Sequence, residues 1–100
     1  MYELIVGHTP FFHEERLECY RRIINSDTEL RFPPRMQSKA SLMIRGFLNP
    51  NANFRLGNRQ SGFDDIKKHD WFRSALTTKF DWDGLRLRSL RAPYRPSTLD

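Results

Sequence analysis

The side chains able to do chemistry are few and scattered. His69-Asp70 is a histidine–carboxylate neighbour pair, His8 and His13 lie far from it in the chain, and Cys19 is the single cysteine. Metal sites need three or four ligands at short, regular intervals, and nucleophilic catalysis needs a nucleophile beside its base. His8, His13 and His69 make no such ligand pattern, and no nucleophile lies at suitable spacing from His69, so no metal site and no catalytic residue is expected. His69-Asp70-Trp71-Phe72 is read as a packing Trp-Phe pair with a capping or hydrogen-bonded histidine. A lone Cys19 forms no internal disulfide, which fits a reducing compartment. The remaining chemistry is ionic. Glu3, Arg21, Arg22 and Arg55 stand next to apolar residues, and Arg86, Arg88, Arg91 and Arg95 punctuate the C-terminal stretch.

These residues must be carried by a chain of 100 residues with 17 Lys and Arg against 12 Asp and Glu, a formal charge of +5. That length makes one compact unit, and 38% hydrophobic residues with 13% aromatics give a thin core built on large rings. No run approaches the roughly 18 apolar residues that span a bilayer, so a soluble chain is expected, in the cytoplasm with the nucleus as a second compartment. The +5 excess motivates a nucleic-acid reading. It is weak, because the charges are dispersed and no recognition-helix, zinc-finger or ribonucleoprotein motif accompanies them.

The spacing predicts a mainly α fold. Tyr2 to Val6 reads as the last turn of a buried helix stopped by Gly7. Leu17, Tyr20, Ile23 and Ile24 recur at helical intervals between His13 and Ile24, with Glu14 and Glu15 at the front and Arg21 and Arg22 at the back, the order that suits the helix dipole. Asn25-Ser26-Asp27-Thr28 breaks that helix, and Arg31-Phe32-Pro33-Pro34 is extended because residues before proline avoid helix. A second helix runs from an N-cap at Ser38 to Leu48, weakened by Gly46 and ended by Asn49-Pro50. Asp64 or Asp65 begins a short helix through Ile66, Trp71 and Phe72, a further turn follows at Asp81 to Leu85, and Arg86 to Asp100 is expected to be extended. No strand alternation is sustained.

The order of four pieces resembles the end of the catalytic domain of AGC-type serine/threonine protein kinases, closest to the cyclic-nucleotide-dependent, cAMP-dependent-kinase-like branch. They are Tyr2-Glu3-Leu4 through Gly7-His8-Thr9-Pro10-Phe11-Phe12; Tyr20 to Ile24 followed by Arg31-Phe32-Pro33; Phe54-Arg55-Leu56-Gly57; and Asp65 to Phe72. Asp81-Trp82 and Ala92-Pro93-Tyr94-Arg95-Pro96 follow, the latter similar to the Pro-x-x-Pro opening of the family's C-terminal tail. The resemblance implies a partial kinase large lobe over residues 1–72 and the start of the tail over 73–100. It places the Gly-rich loop, the β3 lysine, the His-Arg-Asp and Asp-Phe-Gly motifs and the Ala-Pro-Glu segment before Met1. ATP and Mg would then be held by the full-length parent, and no cofactor by these residues.

The resemblance also assigns roles. Glu3 would pair with an arginine just before the substrate's phosphorylated residue, a charge-assisted and often bidentate contact; read alone, it is a solvated carboxylate. Phe12 would line an apolar pocket for docking peptides or inhibitors, with His8 where the family often has an aromatic. Tyr20, Arg21 and Arg22 would belong to a helix that docks protein substrates or a regulatory or inhibitor protein, although Tyr20 also shares a stripe with Leu17 and Ile24 and could simply pack. Arg55 would be the structural arginine paired with the glutamate of Ala-Pro-Glu; without that partner it needs another carboxylate or solvent, since stripping a buried charge of its partner costs ~3–5 kcal/mol. Asn51 and Phe54 depart from the family's usual Asp and Lys, and Asp70 from its usual proline. Trp71 would be structural. Pro93 and Pro96 would form a preorganised strap, with an SH3-type ligand as the weaker alternative.

Three functions follow: a non-catalytic fragment of a kinase, a stand-alone interaction module or pseudokinase remnant acting through the Tyr20 helix, and the nucleic-acid binder. A molten or aggregation-prone monomer is expected for the fragment, with Leu4, Ile5, Phe11 and the apolar helix faces under-buried.

Overall fold

The computed structural model describes residues 1–73 and 80–98, and among these it contains helices and turns with no strand. The order is α1 (Tyr2–Val6), α2 (Arg16–Ile24), α3 (Ser26–Glu29), α4 (Ser38–Phe47), a 3-10 turn (Ala52–Phe54), α5 (Phe63–Lys67), a second 3-10 turn (Asp70–Arg73) and α6 (Trp82–Arg86). The mainly α expectation therefore holds. Residues 74–79 and 99–100, which belong to the expected tail segment, lie outside the described residues.

The core is small and centres on α1 and α4. Tyr2, Leu30 and Ile44 are buried together, with Val6, Phe11, Phe32, Met36 and Leu48 packed around them. Tyr2 pins this group by donating its hydroxyl to the Arg31 carbonyl at 2.7 Å while its ring meets Phe32 at 5.9 Å. The Phe32 ring is also met by the Arg45 guanidinium, 4.8 Å from its centroid, which holds this segment to the face of α4. The stretch expected to be extended through Pro34 instead turns at Pro34, where the Met36 amide donates to the Pro33 carbonyl at 3.0 Å. The expected weakness at Gly46 has a structural purpose. The Leu56 amide donates to the Gly46 carbonyl at 2.8 Å, and a side chain at Gly46 would begin 3.2 Å from the Leu56 Cβ. The glycine lets the chain return against the helix.

Aromatic rings hold the other end. Phe72 meets Trp71 at 4.8 Å, Trp82 at 4.6 Å and Phe80 at 5.6 Å, and Phe63 meets Trp82 at 5.9 Å, most of these pairs edge-to-face. Asp81 caps α6 by accepting from the Gly84 amide at 2.8 Å. The second 3-10 turn packs against α4, joining the two groups. The radius of gyration is 16.4 Å, whereas a compact domain of this length has about 13 Å, as expected from a thin core with an outlying C-terminal stretch.

Several boundaries differ from expectation. Gly7 does stop α1, at φ 102° with its amide on the Glu3 carbonyl, but α1 is not a buried helix: of its residues only Tyr2 is buried and Leu4 is 92% exposed. The second helix begins at Arg16 and not at His13, because the His13 Nδ1 accepts the Glu15 amide in a turn and the His13 carbonyl accepts from the Cys19 thiol. Asn25-Ser26-Asp27-Thr28 bends the chain without ending helical structure, since Asn25 takes φ −100°, ψ 35° and α3 restarts at the next residue. Ser38 is not an N-cap but the first residue of α4; Gln37 precedes it with extended backbone and no side-chain cap. The helix expected from Asp64 through Phe72 is split in two at His69, which accepts the Trp71 amide on Nδ1 at 3.1 Å. Arg86 is still helical and Leu87-Arg88 form a turn, so the stretch expected to be extended from Arg86 begins only after Arg88, and residues 89–98 carry no regular structure.

Candidate docking surface

Helix α2 is amphipathic in sequence, yet among the described residues it contributes nothing to the core. Leu17 is 80% and Ile24 79% exposed, and Tyr20 and Ile23 are each about half exposed. Tyr20 therefore shares a stripe with Leu17 and Ile24, but the stripe does not pack. Four large apolar side chains on one short helix make a contiguous patch of the kind that marks interaction surfaces.

The polar flank of α2 is ordered by ions. Arg21 donates from Nε and Nη2 to the Glu18 carboxylate, the shortest contact being 2.6 Å, and from Nη2 to Glu29 at 3.2 Å. Arg22 adds a 3.4 Å contact from Nε to Glu18 and donates Nη1 to the Phe12 carbonyl at 2.9 Å. The Arg21 guanidinium beside Glu18, seconded by Arg22, holds the Glu18 carboxyl at about 2, and Glu18 followed by Glu29 keeps Arg21 above the ordinary guanidinium value. Arg21 is thus oriented by two carboxylates with its side chain half exposed. The Glu18–Arg21 and Glu18–Arg22 contacts were missed in sequence, although their i,i+3 and i,i+4 spacing is the signal that could have found them. Glu29 carries no such signal, because only the bend at Asn25 swings α3 back against α2.

Two open grooves flank α4. One, of about 460 Å³, runs between α2 and the end of α4 and is lined by Phe11, Ile23, Ile24, Phe47, Leu48 and Arg55. Arg55 sits there exposed, with Nε donating to the Asn49 carbonyl at 3.0 Å, so it finds a backbone oxygen and solvent in place of a carboxylate. The second groove, of about 440 Å³, is lined by Tyr2, Glu3, Thr9, Pro10, Phe47 and Leu48. Glu3 reaches its rim. Phe12 does not line it; that ring is 57% exposed and leans on His8 at 6.3 Å between centroids. Tyr20 and Arg21 line neither groove.

The remaining singled-out residues are placed plainly. Trp71 is half-buried in the aromatic group. Asn51 accepts the Asn53 amide on its side chain at 3.0 Å and so caps the first 3-10 turn, while Phe54 faces solvent. Pro93 and Pro96 lie on exposed chain. No group of three His, Cys, Asp or Glu side chains able to hold a metal occurs among the described residues, and no helix there is long and apolar enough to cross a membrane.

No protein-family model matches the chain. Individual proteins do. The chain is 33% identical over 96 residues to the cAMP-dependent protein kinase type 3 of Saccharomyces cerevisiae, covering 96% of this chain and 22% of that protein. It is 35% identical over 95 residues to the cGMP-dependent protein kinase 2 of Mus musculus, covering 95% of this chain and 12% of that protein. Against the serine/threonine-protein kinase CBK1 of Candida glabrata it is 40% identical over 98 residues, covering 96% of this chain and 12% of that protein. The chain therefore spans about a fifth or less of the length of the curated relatives it matches. With the helical architecture and the ordered motifs around Glu3, Arg55 and Trp71, these matches identify the chain as related to a C-terminal segment of AGC-type serine/threonine kinases, near their cyclic-nucleotide-dependent branch.

Proposed function

We propose that these 100 residues act as a structural and docking segment of a serine/threonine kinase catalytic unit and do not themselves transfer phosphate. The observation that carries this reading is the match to kinases along some 95% of the chain but only 12–22% of their length, in a stretch without a Gly-rich phosphate loop, His-Arg-Asp or Asp-Phe-Gly. Phosphoryl transfer is positioning and charge stabilisation around metal-bound phosphates, so ATP and Mg belong to kinase parts outside this stretch. Within it, Glu3 at the groove rim pairs with a substrate arginine, Phe12 offers an aromatic face to a docking peptide, and Tyr20 with the oriented Arg21 meets a protein partner. Arg55 serves the lobe by receiving a carboxylate from another kinase segment. Calorimetry of the purified chain with Mg-ATP is expected to show no binding heat; a micromolar site overturns the non-catalytic assignment.

A second reading, a stand-alone interaction module, is favoured by one feature: the uncovered apolar stripe of α2, which is available without any other kinase part. A sharp cooperative melt with dispersed side-chain signals from the isolated chain supports the module. A broad transition with dye-binding apolar surface supports the segment of a larger lobe.

A further inference from the structure

The Arg-rich stretch after α6 has no role in the reading above, yet its spacing is specific. Ser89 is preceded by Arg86 three residues before and Arg88 directly before, and followed by Leu90 and Arg91. The structure places all of residues 85–98 at the surface. Arg88 adopts φ 59°, a left-handed conformation that ends the helical run and turns Ser89 out of it. The Ser89 amide donates to the Gly84 carbonyl at 2.9 Å, and its hydroxyl makes one long bond, 3.3 Å, to the same oxygen. Arg86 makes one loose, exposed contact with Asp83 at 3.9 Å, and Arg88 and Arg91 have no ion-pair partner among the described residues. Arg86 is the last residue of α6, so only that helix end has to fray for Arg86 to Arg91 to be presented as an extended peptide.

We propose that Ser89 is a phosphoacceptor site for an arginine-directed serine/threonine kinase, and that the phosphate, once transferred, is held by Arg86, Arg88 and Arg91. An enzyme whose peptide cleft is lined by carboxylates reads guanidinium groups at fixed distances from the hydroxyl, through short charge-assisted and bidentate contacts. In the transfer, the Ser89 Oγ–P bond forms and the bond from the γ-phosphorus to the bridging oxygen of ATP breaks. ADP leaves with that electron pair, and the hydroxyl proton passes to a base of the modifying kinase. Phosphoserine adds about −1.5 to −2 charge, so the chain's net +5 falls to about +3. A dianion three residues from Arg86 also outcompetes the single carboxylate of Asp83 for that guanidinium. The assignment concerns the chain as acceptor and does not depend on the docking roles given to Glu3 or Tyr20.

The test incubates the full chain with Mg-ATP and a purified kinase that selects arginine-flanked serines, and maps the product by tandem mass spectrometry. Ser89 is expected to carry most of the label, S89A to lose it, S89T to retain an acceptor, and Arg86→Gln to slow incorporation about tenfold. Unlabelled Ser89, label confined to Ser97 or Thr98 behind Arg95, or an unchanged rate in R86Q overturns the site. For the clamp, phosphorus NMR of the labelled chain should show a second ionisation below the usual phosphoserine value of about 6, restored towards it by Arg91→Gln. An unshifted ionisation that R91Q leaves alone overturns the clamp.

Discussion

Helices α2 and α4 are of nearly equal length and similarly amphipathic, yet they meet opposite fates. Helix α4 buries Ala40, Met43 and Ile44, the last against Tyr2 and Leu30, whereas α2 keeps Leu17, Tyr20, Ile23 and Ile24 largely in solvent. What differs is the supply of covering surface. α4 is met by Tyr2 on one side and by Leu56, returning over Gly46, on another. α2 is met by the four-residue α3 and by its own ion pairs. Helical periodicity tells which face is apolar. It does not tell whether anything arrives to cover that face.

The largest test of this contrast sets Ile44→Ala against Leu17→Ala. Ile44 is 3% exposed, and its truncation is expected to cost ~2–5 kcal/mol through lost burial and a cavity. Leu17→Ala should stay within about 0.5 kcal/mol in the same urea titration, because its side chain is already in water. Equal losses would mean that α2 packs in solution, and the contrast would collapse.

A smaller effect belongs to Tyr2→Phe. It keeps the ring against Phe32 but removes the 2.7 Å bond to the Arg31 carbonyl, for an expected ~0.5–1.5 kcal/mol. Hydrogen exchange should show the loss concentrated around α1 and the Phe32 segment, with α2 unchanged; a matching change in α2 would show that the two regions are one cooperative unit.

The smallest effect sharpens the α2 side. Glu18 titrates at about 2 when folded against an ordinary 4.5. A depressed carboxyl contributes helix stability that is fully present above about 4.5 and is lost as pH falls through the folded value near 2. Helicity followed by circular dichroism at low salt should decline across that window, and Glu18→Gln should flatten the decline. Added salt should weaken it as well, because the pair is exposed to solvent. A pH profile identical in E18Q would remove the ion cluster as the device that orders α2.

The contrast also separates what was legible in sequence from what was not. Gly7 as a stop, the helical spans ending near Ile24 and Phe47, the Asp81 turn and the non-helical Arg31-Phe32-Pro33 were readable, because each depends on local backbone chemistry: positive φ, apolar period, side-chain capping and the steric demand of proline. The turn at Pro34 was not. Ser38 misled, since a good capping residue can equally begin a helix when the residue before it is extended. The orientation of Arg21 was not anticipated: Glu18 lies one turn away and could have been found by spacing, while Glu29 reaches it only after the bend at Asn25.

By itself the sequence determined that the chain is helical, carries a modest aromatic core, lacks the motifs of metal and phosphate chemistry, and follows the motif order of the kinase segment it matches. Each of these is a property of residue type and spacing. Only the tertiary structure decided which apolar stripe is core and which is surface, that Arg55 rests on a backbone carbonyl, and that Ser89 lies on exposed chain bonded to the Gly84 carbonyl. Those outcomes depend on which distant segments return to cover a given face, and burial is a relation between segments that no single segment encodes.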